Sequence, residues 1–238
     1  MRLFYILLSI VTPLDFSIDS TTIKGSKLYS IYEDNNDNYI KVISYELKDG
    51  LTSDVFSRGE SYRLNKIVRG FKLKFFDVPE NLNGEHDKLW LKAYQTAYDA
   101  EISNSNSNWM GYICLSDMVL NPNNSLIKFP TTDKFPLLGY TANMITNEYG
   151  SALYITGGAI YSKNKDALIS SNSFFKYNYT TLEWTDMTSN YSSNLDPIYD
   201  HKSAIVDNRY LVLLGVYLKL IQSTSYGYLI QLQTIGKV

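Results

Sequence analysis

The eight residues Ser151–Gly158, Ser-Ala-Leu-Tyr-Ile-Thr-Gly-Gly, restrict the fold more than any other stretch of the chain. Leu153, Tyr154 and Ile155 favour an extended backbone packed on a neighbour. Gly157 and Gly158 then end the run, and they admit a positive φ or a close backbone approach that a side chain would block. Helical periodicity is scarce around them. The best helix candidate is Lys88–Glu101, whose apolar positions also alternate in places. Elsewhere short apolar runs are separated by polar clusters at Asp34–Asn38, Asn81–Asp87, Asn104–Asn108, Asn121–Ser125, Ser162–Asp166 and Thr188–Asn194. Many short strands joined by polar turns make an all-β chain: a sandwich, a barrel or a propeller.

A recurring order of strands chooses among these. Gly139-Tyr140-Thr141-Ala142 opens one pass, followed by Leu153–Gly158, then Phe174-Phe175-Lys176-Tyr177, then Leu182-Glu183-Trp184. A second pass runs from His201–Val206 into Asp207–Gly215. A small-residue strand, a strand ending in Gly-Gly, a third strand with Tyr177, and Trp184 several residues later resemble the kelch motif. The likeness covers residues 135–184 and returns over 199–216, where Leu214-Gly215 replaces the glycine pair. Upstream, Gly25–Tyr32 and Tyr39–Leu47 mirror a second and a third strand. Gly111–Leu115 mirrors another third strand, with the Asn121–Ser125 turn and Leu126–Phe129 after it. Residues 54–108 do not register.

The resemblance implies a kelch-type β-propeller over residues 18–238 with about four irregular blades, at about 50 residues per unit. Four is the low end for a closed ring, so the ring is expected to be incomplete. Its two uncovered sheet faces would invite self-association. Trp184 is expected to fill the space between blades, and its truncation to alanine to cost about 3–5 kcal/mol. The resemblance implies a binding scaffold for protein or glycan and names no ligand. Some kelch-type propellers are copper enzymes related to galactose oxidase. Such a site would need two Tyr, two His and a Cys cross-linked to one Tyr. This chain has only His86, His201 and Cys114, and no His-x-His spacing. His201 reads as structural and His86 as a loop residue. No metal or cofactor is expected.

Other chemistry finds no motif. Gly-x-Ser-x-Gly, Gly-x-Gly-x-x-Gly and P-loop patterns are absent from the sequence. Acid pairs such as Asp186 and Asp196, or Glu85 and Asp87, read as loop charges. No catalytic residue is assigned. A net charge of −2 without a Lys/Arg run argues against nucleic acid. A single cysteine excludes an intrachain disulfide. Met1-Arg2, the apolar run Leu3–Val11 and the polar flank after it make residues 1–17 a candidate signal peptide, despite a poor cleavage site at Asp15 and Ser17. The expectation is a secreted or extracellular protein without a transmembrane span; the alternative is a cytoplasmic adaptor in which Leu3–Val11 is a buried strand. Sequons at Asn123, Asn178 and Asn190 fall in expected turns and would accept glycans after secretion. Tyr191, Tyr199, Tyr226 and Tyr228 lie near strand ends; most are expected to pack in the core, with recognition as the alternative.

Overall fold

The computed structural model describes residues 20–33, 39–47, 59–65, 71–79, 86–95, 109–122, 127–148, 150–191, 196–208, 210–219 and 222–231. The chain is all-β, and most of its strands pair with their neighbours in sequence. β1 (Ser20–Lys24), β2 (Lys27–Glu33), β3 (Tyr39–Glu46) and β4 (Glu60–Asn65) form a first sheet. β5 (Phe71–Phe75), β6 (Lys88–Gln95), β7 (Trp109–Cys114) and β8 (Val119–Pro122) form a second. The third sheet holds β9 (Thr141–Asn147), β10 (Gly150–Thr156), β13 (Phe174–Asn178) and β14 (Glu183–Asp186). A hairpin of β11 (Ala159–Ser162) and β12 (Ala167–Ser170) is inserted between β10 and β13. After a single helical turn, α1 (Thr188–Tyr191), β15 (Lys202–Val206), β16 (Tyr210–Lys219) and β17 (Gln222–Gln231) make a last, three-stranded sheet. No helix among the described residues is long and apolar enough to cross a membrane.

The chain divides into two compact units, the first holding residues 1–75, 87–93 and 110–123, the second residues 76–86, 94–109 and 124–238. In the second unit the β9–β14 sheet is covered on both faces. Register pairs Leu153 with Tyr177, Ile155 with Phe175, and Tyr177 with Trp184, so these residues share one face. Phe135 packs there, its ring 5.0 Å from Phe175 and 5.3 Å from Trp184, with Phe129 5.9 Å from Trp184. The other face carries Ile145, Tyr154 and Phe174, which bury Leu211 and Leu213 of β16. A strand apolar on both faces needs cover on both. That is why Leu153, Tyr154 and Ile155 follow one another without a polar interruption.

In the first unit the same logic overturns the expected helix at Lys88–Glu101. Residues Lys88–Gln95 form strand β6, and the residues beyond it lie outside those described. Leu89, Leu91 and Ala93 fall on one face and Trp90 and Lys92 on the other, all buried. Cover on both faces blurs the alternation that would have marked the strand. The turn expected at Asn121–Ser125 is also displaced. The chain reverses earlier, at residues 115–118, where Met118 takes a φ of 54° and its N–H donates to the Cys114 carbonyl at 2.9 Å. Asp117 Oδ1 accepts the Val119 N–H at 3.0 Å. Asp117 completes a tight turn at once, so the fourth strand is Val119–Pro122 and Ile127–Phe129 is not a strand. Of residues 54–108, which showed no register in sequence, the described parts supply β4, β5 and β6.

Lys92 is 4% exposed. Burial, and then the Lys74 ammonium, hold its amine well below the ordinary lysine value of 10.5. The unfolded chain therefore binds a proton that the folded one releases, and stability rises with pH between the folded value and 10.5. Between about pH 8 and 10, the urea unfolding free energy should climb for the native chain relative to Lys92→Met, by at most about 1.4 kcal/mol per pH unit. A difference between the two that stays flat across that range would contradict the assignment.

Candidate functional site

The connections of the second unit are unequal at the two ends of its sheets. β9 and β15 start, and β10 and β14 finish, at one end; there the incoming segment 127–140, the β11–β12 hairpin and residues 187–191 and 196–201 gather. At the opposite end the chain reverses in short turns after β9, β13 and β15. The turn after β13 is built by Asn178, whose Oδ1 accepts the N–H groups of Thr180 at 2.8 Å and Thr181 at 3.3 Å. Long connections on a rigid frame are where a β-protein carries binding residues.

Gly157 and Gly158 are the point on which those connections converge. Their φ values are +60° and +96°. Gly157 N–H donates to the Ser173 carbonyl at 2.8 Å and Gly158 N–H to the Ile198 carbonyl at 2.7 Å. The Gly158 carbonyl accepts the Ser171 N–H at 2.8 Å and the Ser171 hydroxyl at 3.1 Å. Ala159 N–H then donates to the Leu138 carbonyl at 2.8 Å, and Leu137 N–H to the Ala159 carbonyl at 2.9 Å. A Cβ on Gly157 would stand 2.6 Å from the Ile198 carbonyl oxygen and 2.7 Å from His201 Cε1. One on Gly158 would stand 2.7 Å from Pro136 Cβ. Both glycines are thus required twice, for conformation and for space.

Beside them runs a polar seam between β9 and β15. His201, 5% exposed, accepts or donates through Nε2 with Thr141 Oγ1 at 2.9 Å, and Thr156 Oγ1 lies at 3.4 Å. The two threonine hydroxyls are 2.8 Å apart. Asn143 Nδ2 donates to Ser203 Oγ at 2.5 Å, and Asn208 Nδ2 donates to the Thr146 carbonyl. Just outside the seam, Asp200 N–H donates to the Gly139 carbonyl at 2.8 Å; Gly139 and Asp200 both have positive φ, at 66° and 53°. A hydroxyl this close to an imidazole has the spacing of a nucleophile and its base. Here the hydroxyl is shared with Thr156 and the ring is buried, and the cluster joins β9 and β10 of one sheet to the residue that leads into β15.

The rim of this end is exposed. Tyr199 is 55% exposed, against the expectation that such rings pack in the core, because it follows the Ile198 anchor and precedes the buried His201. The hairpin tip Lys163–Asp166 is exposed as well. Of the other singled-out residues, Tyr177 is buried and Trp184 is half-buried, its indole N–H donating to the Lys128 carbonyl at 2.9 Å. Trp184 closes an aromatic cluster with Phe129, Phe135 and Tyr177. Asn190 is exposed on α1, at this end, whereas Asn178 holds the turn at the other. Asn123, residues 1–17 and the side chains of Tyr191, Tyr226 and Tyr228 lie outside those described. His86 lies in an exposed turn, and the half-buried Cys114 has its sulfur 3.1 Å from Ser116 Oγ. Among the described residues no group of three His, Cys, Asp or Glu stands close enough to hold a metal.

Sequence reasoning missed Thr141, Asn143, Thr156 and Ser203. Their signal is faint: a polar residue at every second position where a strand opens, in Thr141-Ala142-Asn143. No protein-family model matches the chain, and no curated protein matches it.

Two substitutions measure this frame. Gly157→Ala forces a side chain into the left-handed region and against a carbonyl, and should lower stability by about 2–4 kcal/mol in denaturant unfolding. Trp184→Ala should cost about 2–4 kcal/mol, below full burial of a tryptophan, because the ring keeps one side in water. A loss under about 1 kcal/mol in either variant would mean the contacts described are not held in solution.

Proposed function

We propose that this chain is a non-enzymatic binding scaffold, a kelch-like β-propeller of about four irregular blades, that recognises a protein or a glycan through the loops gathered at the Gly157–Gly158 end. The observation that carries the reading is the asymmetry of the connections: one end closed by tight turns, the other built of long segments locked onto the glycine pair. The order of the strands supports the propeller part. The β1–β4, β5–β8 and β15–β17 sheets are each made from consecutive strands, and the sheet with the glycine pair is a four-stranded antiparallel one interrupted by the β11–β12 hairpin. An incomplete ring is supported by the last sheet, whose outer face leaves Val206 and Leu214 exposed at 43% and 58%. Secretion is the localisation proposed, from residues 1–17 and the exposed Asn190.

Tyr199 is the residue best suited to contact a ligand, since a tyrosine ring offers large area at a small loss of conformational freedom. The hairpin tip, with Lys163 and Lys165, stands on the same end. The test is a glycan array and a panel of extracellular proteins probed with the purified chain. Binding should fall at least about tenfold in Tyr199→Ala or in the Lys163→Ala/Lys165→Ala pair, while the thermal midpoint stays unchanged. A ligand that binds both variants as tightly as the native chain would place recognition elsewhere. Stoichiometric copper in the purified protein would instead favour a galactose-oxidase-like enzyme, and an intact Met1 on protein in the cell fraction would defeat secretion.

A further inference from the structure

We infer that two copies of this chain associate by pairing the open edge of β16 across a two-fold axis at Tyr217. The inference is independent of the propeller reading and rests on strand register. β15 pairs with β16 only from Tyr210 to Leu214, whereas β17 pairs with it along its whole length, from Tyr210↔Gln231 to Lys219↔Gln222. Residues 215–219 of β16 therefore continue as a two-stranded ribbon with 222–226. On the side away from β17, no strand among the described residues pairs with them. A two-stranded ribbon is marginal in water by itself, and an open edge is a template for another strand.

The sequence of that edge selects a second copy as the occupant. Gly215-Val216-Tyr217-Leu218-Lys219 carries no proline and a single charge, at its end, so the usual devices that blunt an edge are missing. In an antiparallel pairing centred on Tyr217, Gly215 of one copy stands opposite Lys219 of the other, Val216 opposite Leu218, and Tyr217 opposite Tyr217. The one charge meets a glycine, and the three central positions pair apolar and aromatic residues, which favours the ladder. A parallel in-register pairing would set Lys219 against Lys219 and is disfavoured for that reason. The antiparallel dimer turns two three-stranded sheets into one of six strands.

The register makes a test by charge. Sedimentation of the native chain between about 1 and 100 μM should show a monomer passing into a dimer. Tyr217→Lys and Tyr217→Glu each put like charges across the axis and should remain monomeric, with unchanged circular dichroism. Mixed in equal amounts, they should form a heterodimer. A native chain that stays monomeric throughout overturns the proposal and leaves the edge to a foreign peptide. Dimers that persist in both single variants, or a mixture that stays monomeric, overturn the two-fold register. Should the variants fail to fold, hydrogen exchange on the native chain decides: the amides of 215–219 should exchange at least about tenfold more slowly at high than at low concentration. Equal rates at both would refute the pairing.

Discussion

The end of the second unit where its long connections gather depends on two residues having no side chain. Gly157 and Gly158 carry hydrogen bonds to Ser171, Ser173 and Ile198 within two consecutive peptide groups, while Pro136, Leu138 and His201 press on the space a Cβ would take. Three segments distant in sequence are thereby held together: the one entering β9, the one that frames the β11–β12 hairpin, and the one leading to β15. The loops that follow inherit their positions from that knot. Tyr199 is presented to solvent because Ile198 is bonded on one side of it and His201 is buried on the other.

The second constraint is cover. Strands β10 and β13 are apolar on both faces, so the sheet is stable only with something on each. An aromatic cluster of Phe129, Phe135 and Trp184 supplies one side, and Leu211 with Leu213 supplies the other. Where β9 and β15 come together the contact turns polar, and Thr141, Asn143, His201 and Ser203 satisfy one another. A half-satisfied polar group there would be expensive, which makes the seam selective for one alignment of the two strands. In the last sheet Val206 and Leu214 are exposed on the outer face, and β16 runs on past the end of its pairing with β15. Both features direct attention outward, to a second molecule.

Much of this was legible in the residues. The strand-to-glycine transition at Thr156-Gly157 and the turn at Asn178 carry local signatures, because turn chemistry and β-branched or aromatic runs act over a few residues. Lys88–Gln95 was not legible. Burial on both faces removes the alternation by which a strand is recognised, and Lys92 among Leu91 and Ala93 imitates the polar position of a helix. The turn at Asp117 was missed for a related reason: one aspartate closing a turn onto its neighbour leaves less mark than the run of asparagines that follows it. The polar seam was invisible, since Thr141 and Ser203 look like ordinary polar positions until two distant strands are adjacent.

The sequence by itself determined the class of this protein: short strands, polar turns and one glycine pair. These follow from propensity and composition, which need no partner. Only the tertiary structure decided which connections share an end, that Tyr199 is exposed while Tyr177 is not, that His201 belongs to two threonines, and that residues 215–219 of β16 lie beyond the reach of β15. Each of those is a relation between segments far apart in the chain. Such relations arise from the closure of sheets over one another, and no local pattern encodes them.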